Sequence, residues 1–139
     1  MKLTLFSVEE ANKLAAELAP TLERLLQAKR EFDELHERVE VLSLALAGAS
    51  PDNPDARELR DVHGRRTELA EELTRGVQAI QQRGAIVKDL DQGLVDFYSL
   101  SGDRLIFLCW QLGEAEVAHW HSIEGSFATR QPLHRTELD

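Results

Sequence analysis

Between Leu105 and Phe127 lie both tryptophans, the only cysteine and two of the five histidines of the chain. His119 and His121 stand two apart, so on a strand both point to one face and could share a metal ion, as His-x-His strands do in zinc enzymes. The plainer outcome of that spacing is a pair of solvent-facing histidines on an edge strand. Cys109 sits between Leu108 and Trp110 in an apolar run, where a thiol is most often a small core side chain with a raised pKa. Paired with His121 it could instead serve as a nucleophile, but no third orienting group stands at a readable spacing and no glycine-rich oxyanion loop is evident. Asp96 alternates with Val95 and Phe97 and so occupies the face opposite them. A carboxylate among apolar neighbours calls for a partner such as Arg130, His121 or a cation.

Which of these residues can meet depends on strand register. A two- or four-residue loop around Gly113-Glu114 pairs odd positions with even ones, placing Cys109 on the face of Trp120 and the histidines beside Leu108 and Trp110. A three-residue loop, Gly113-Glu114-Ala115, exchanges the faces and permits a site of Cys109, His119 and His121. The two-residue loop is the expected one, because it is common in hairpins and buries Cys109 beside Trp120. A metal would then use His121 with Asp96 or Glu124, a harder and more open site suited to zinc, iron or manganese.

The elements that must position these residues begin at Ser7-Val-Glu-Glu10, a capping box that starts a helix. From there Ala11, Leu14, Leu18, Thr21, Leu25, Ala28, Phe32, Leu35, Val39, Leu42 and Leu46 recur in steps of three and four, the seam of a coiled coil. Pro20 falls within it and predicts a kink or a break near Glu17 to Ala19. Gly48 to Pro54 turns the chain, and a second helix starts near Asn53 or Asp55. Its seam of Leu59, Val62, Leu69, Leu73, Val77 and Ile80 is interrupted at Arg66 and Gly76 and ends at Gly84. A turn centred near Pro51 sets Ile80 opposite Leu22, so the first helix overhangs its partner from Ser7 to about Ala19, about 20 Å of helix offering Leu14 and Leu18 to whatever follows.

After Gly84 the period changes to that of strands: Ile86 to Lys88, Leu94 to Tyr98, Leu105 to Leu112 and Val117 to Ile123. The fold class is therefore α+β, a long antiparallel helical hairpin (a coiled-coil stalk) carrying a small C-terminal antiparallel β-meander of three or four strands, with Leu105 to Leu112 as its central strand. Residues 1–83 hold an N-terminal strand at Lys2 to Phe6 and the hairpin, and residues 84–139 hold the meander, packed on the hairpin end as one domain. The tail from Arg130 reads as loose.

Acids outnumber bases 25 to 16 for a net charge of −9, and no basic stripe is present. That balance opposes nucleic acid or an anionic membrane surface as partner. No apolar run approaches the roughly 18 residues that span a bilayer, and a single cysteine suggests a reducing compartment, so the expected location is the cytoplasm.

Phe6-Ser-Val-Glu-Glu-Ala-Asn12, Gly93-Leu-Val-Asp-Phe97, Leu108-Cys-Trp110 with Gly113-Glu114, Trp120-His121 and Gly125-Ser-Phe-Ala-Thr-Arg-Gln-Pro-Leu133 together resemble bacterial proteins catalogued as domain of unknown function 2203. The likeness runs from about Leu5 to Leu133 and implies a small bacterial cytosolic protein with no activity attached. Where the family pattern often has an aromatic residue and an acid, this chain has His119 and Ser122.

Three functions are thus open. The leading one is a non-enzymatic coiled-coil scaffold or interaction module, forming a homodimer through Leu22, Leu26, Val41 and Leu44, which lie off the seam, or binding a protein partner through the stalk. The alternative is a metal-binding protein using His121 with Cys109, His119, Asp96 or Glu124. A thiol-dependent enzyme is the third.

Overall fold

The computed structural model describes residues 3–134. The first helix, α1 (Val8–Ala45), is opened by Ser7. Glu10 N–H donates to the Ser7 hydroxyl at 3.1 Å and Ser7 N–H donates to the Glu10 carboxylate at 3.0 Å, the reciprocal cap that the spacing predicts. The helix runs unbroken through Pro20, so the expected break does not occur. An interior proline costs about 3 kcal/mol. Burial of Leu18 and Leu22 on either side of it opposes that cost, and the proline ring itself is exposed.

Asn53 caps α2 (Pro54–Gln82) by accepting the Asp55 N–H at 2.9 Å, and Pro54 takes the first helical position, where an N–H would have no partner anyway. The helices align antiparallel, with Arg65 on Glu31 and Arg38 on Glu58 across the stalk. Such exposed pairs add little stability and serve mainly to favour this alignment. Gly76, an interruption in the sequence pattern, is the hole into which Leu25 packs: a Cβ there would run into the Leu25 methyl groups. Gly84 then turns the chain out of α2 at φ 98°, a backbone conformation that side chains disfavour, with Thr4 lying against it.

Five strands follow, β1 (Ala85–Asp89), β2 (Leu94–Ser101), β3 (Arg104–Gln111), β4 (His119–Ser122) and β5 (Gln131–Pro132), antiparallel and in that order across one sheet. The meander is as expected, with β3 in the middle, but it gains a strand from the segment expected to be loose. Leu133 N–H extends that pairing to Ala118 O at 2.9 Å; the rest of the tail, 135–139, lies outside the described residues. The N-terminal strand does not form between Leu3 and Phe6, and Lys2 lies outside the described residues. Phe6 is tied down instead by its N–H to Tyr98 O at 2.8 Å and by Ser99 Oγ donating to its carbonyl at 2.6 Å.

One face of the sheet packs on the helices. Val95 and Phe97 from β2, with Ile106, Leu108 and Trp110 from β3, share a single core with Leu14, Leu18, Leu22 and Ile80. The overhang of α1 is thus the seat of the sheet. Leu22 belongs inside this core and not on the outer surface where the heptad seam puts it, because Ala11, Ala15, Leu18 and Leu22 follow the 3.6-residue period of a broad buried stripe. Leu18→Ala should therefore lower unfolding free energy in urea by about 2–5 kcal/mol and speed hydrogen exchange at Ile106, Leu108 and Trp110. Unchanged exchange there would mean that α1 does not hold the sheet.

Candidate metal centre

The register of β3 and β4 decides which side chains share the far face of the sheet. Phe107 pairs with His121, Leu108 with Trp120 and Cys109 with His119, so odd positions pair with odd ones. This is the reverse of the two-residue-loop register expected above. The connection between the strands runs from Leu112 to Ala118, longer than any tight hairpin loop, and is held by one contact distant in sequence and two local ones. Val117 N–H donates to Asn12 Oδ1 of α1 at 2.6 Å, Gln111 N–H to Glu114 Oε1 at 2.8 Å, and Trp110 Nε1–H to the Glu114 carbonyl at 3.1 Å. Val117 is drawn into the core. Cys109 consequently faces away from Trp120 and stands on the histidine face.

Asp96 of β2 is the direct cross-strand partner of Cys109. Three neighbouring strands therefore bring Asp96, Cys109 and His121 together, all buried, with one donor atom of each within 4.8 Å of the others. Two sequence candidates stay outside. His119 is half-buried beside Cys109, but its Nδ1 lies 3.8 Å from Glu114 Oε2 and has no hydrogen-bond partner, and Glu124 is exposed.

His121 is held at both ring nitrogens. Nδ1 is 2.8 Å from the carbonyl of Ser122, and Nε2 is 2.8 Å from Asp96 Oδ2. A carbonyl only accepts, so Nδ1 carries a hydrogen, and in a neutral ring Nε2 is left as the lone-pair nitrogen facing Asp96 and Cys109. Burial pushes the Asp96 carboxyl above the usual range against the opposing influence of His121 and Lys88, which favours a proton in the contact between Oδ2 and Nε2. Burial first, and the Asp96 charge second, push the Cys109 thiol up to about 12. This is opposite to the depressed pKa that activates a cysteine nucleophile. His121, turned onto Asp96 and Ser122, is not free to act as its base.

The trio lines a cleft of about 420 Å³ together with Lys88 and Leu94 on one side and Gly125 to Ala128 on the other. That second wall is a short flap held by Arg130. The Arg130 guanidinium reaches both oxygens of Glu114 at 3.0 and 2.9 Å and lies 4.2 Å from the centre of the Phe127 ring.

A family model described as "Uncharacterized conserved protein (DUF2203)" matches residues 4–133. The chain belongs to this family. No curated protein and no solved structure matches the chain. Membership in DUF2203 brings no activity with it. The C-terminal run that carries the resemblance, Gly125 to Leu133, is the segment that supplies the flap, Arg130 and the fifth strand.

The sequence offers Arg130 only as a partner for Asp96 and gives no signal for a site role at Glu114, whereas the structure pairs the two with each other. Burial works to raise the Glu114 pKa, but Arg130 and the Gln111 N–H outweigh it and hold the carboxyl below its ordinary value. A lowered carboxylate pKa in the folded state contributes stability above the unfolded value and loses it as pH falls through the folded one. Acidification below the ordinary carboxyl value of 4.5 should therefore release the flap, read as lower amide protection factors at Phe127 to Leu133. In Glu114→Gln the same amides should exchange fast at neutral pH already and respond less to acid.

Proposed function

We propose that this protein binds one divalent metal ion through the Asp96 carboxylate, the Cys109 thiolate and His121 Nε2, with zinc preferred over iron or manganese. The observation that carries this reading is the convergence of three buried donors of different elements, from three adjacent strands, at the floor of an open cleft. A thiolate with an imidazole favours zinc, whereas manganese prefers oxygen donors. The bond between His121 Nδ1 and the Ser122 carbonyl supports it further, because metal-bound histidines ordinarily donate their second ring N–H to such an acceptor. Zinc bond lengths separate tetrahedral donors by about 3.3–3.6 Å. Asp96 and His121, 2.8 Å apart, need to part by roughly half an ångström as the ion replaces the proton between them.

Zinc titration by calorimetry tests this. Wild type should bind one ion, and Asp96→Asn, Cys109→Ser and His121→Ala should each weaken binding by about tenfold or more. His119→Ala and Glu124→Ala should leave it unchanged. Failure of the wild type to bind zinc, iron or manganese would sink the reading.

The distal stalk supports a second reading, a scaffold that pairs with another copy of itself. Val41 and Leu44, three residues apart on one face of α1, are 55% and 81% exposed, the two most exposed large apolar side chains among the described residues. No helix among the described residues is long and apolar enough to cross a membrane. A homodimer mass by light scattering at tens of micromolar, reverting to monomer in Leu44→Glu, is the expected outcome. A monomer mass for the wild type would remove this reading without affecting the first.

A further inference from the structure

We propose that the cleft binds the carboxylate of a small organic acid, with the anionic end meeting the metal and the Lys88 ammonium and the apolar body lying against Leu94, Phe127 and Ala128. This deepens the metal reading above and rests on it. A divalent ion held by a carboxylate, a thiolate and a neutral imidazole is electrically neutral. With three protein donors, a tetrahedral ion keeps one position open for a ligand. The trio itself forms part of the cleft lining, so that position is supplied from the cleft.

Lys88 provides the charge. Regular alternation along β1 is interrupted by a bulge between Val87 and Asp89, where Asp89 and not Lys88 takes Leu94 as its partner. Ile86 is the partner of Asp96, so alternation already sets Lys88 on the Asp96 face, and the bulge brings Asp89 in beside it. Here the Lys88 Nζ comes to lie over the Phe107 ring at 4.4 Å, on the face that carries His121 and Asp96, and Lys88 lines the cleft. It acts on the Asp96 charge. Once that carboxylate is bound to the ion, the ammonium is available to a second anion. The other acid in the lining, Asp89, is turned onto Gln92, accepting from its backbone N–H at 3.2 Å and from its side-chain amide at 3.4 Å. Those bonds leave the Asp89 charge in place but hold it on Gln92, while the cleft presents a cation and a Lewis acid at one end and apolar walls beyond them.

The size fits a small molecule. About 420 Å³ lies in the range of small-ligand pockets, roughly 300–1,000 Å³. One ammonium and one open metal position suit the two oxygens of a carboxylate. A phosphate would call for more donors than these.

Benzoate is the probe, titrated by calorimetry into zinc-loaded protein whose metal content is measured first. Zinc-loaded wild type should bind benzoate about tenfold or more tighter than neutral benzamide, and the metal-free protein should bind neither. Lys88→Met keeps the stem and removes the charge, and should erase the preference for benzoate. Phe127→Ala should weaken both probes alike. Lys88 is exposed and Phe127 only half-buried, so both variants should fold, as circular dichroism can verify. If zinc loads normally but wild type does not bind benzoate, or binds it equally well without zinc or without Lys88, the carboxylate proposal is overturned while the metal reading stands. Tighter binding of inorganic phosphate than of benzoate would overturn it as well. Should zinc fail to load, the metal reading fails first and this proposal falls with it.

Discussion

The apolar face of β3 cannot be exchanged with its opposite. Ile106, Leu108 and Trp110 are committed to the core with Leu14, Leu18 and Leu22 of α1, and turning any of them outward would expose large side chains at about 1.5–3 kcal/mol apiece. Because side chains alternate along a strand, that commitment also dictates the far face: Phe107 and Cys109 on β3, their partners Tyr98 and Asp96 on β2, and His121 and His119 on β4. The three donors are gathered by the hydrophobic packing on the other side of the sheet, without any bond between them being needed to build the fold.

This also explains how far the sequence could be read. Features governed by neighbours in the chain were legible: the Ser7–Glu10 cap, the Asn53-Pro54 start of α2, the turn at Gly84 and the position of β3 in the middle of the meander. The seat of the sheet on Leu14 and Leu18 was legible too, from the unequal lengths of the two helices. The pairing of β3 with β4 was not, because its connection is anchored on Asn12, more than a hundred residues before Val117. No local pattern announces that contact, and a slip of one residue exchanges the faces. Likewise the segment from Arg130 looks like a polar tail until Arg130 finds Glu114 in the connection between β3 and β4.

The candidate site differs from its parts. His119 and His121 share a face as their spacing implies, yet only His121 joins the donors, because β4 aims His119 toward Glu114 at the flap end and His121 toward Asp96. Cys109 is buried and its thiol firmly protonated, as its apolar surroundings imply. Burial next to a carboxylate and an imidazole nevertheless gives that inert thiol a use that a cysteine surrounded by hydrocarbon would not have. A cation can stabilise as a thiolate what the protein alone keeps as a thiol.

The core that seats the sheet reaches along α1 only as far as Leu25 and Leu26, and along α2 it takes Ile80 and Leu73. Beyond these the buried stalk residues, Ala28, Val39, Leu42 and Leu69, belong to a separate stretch of packing between the two helices. The stalk is in effect a handle of adjustable length. Matched seven-residue insertions in both helices would keep the seam in register and carry its tip outward by about 10 Å each, so in this architecture reach can evolve independently of the chemistry mounted at the other end.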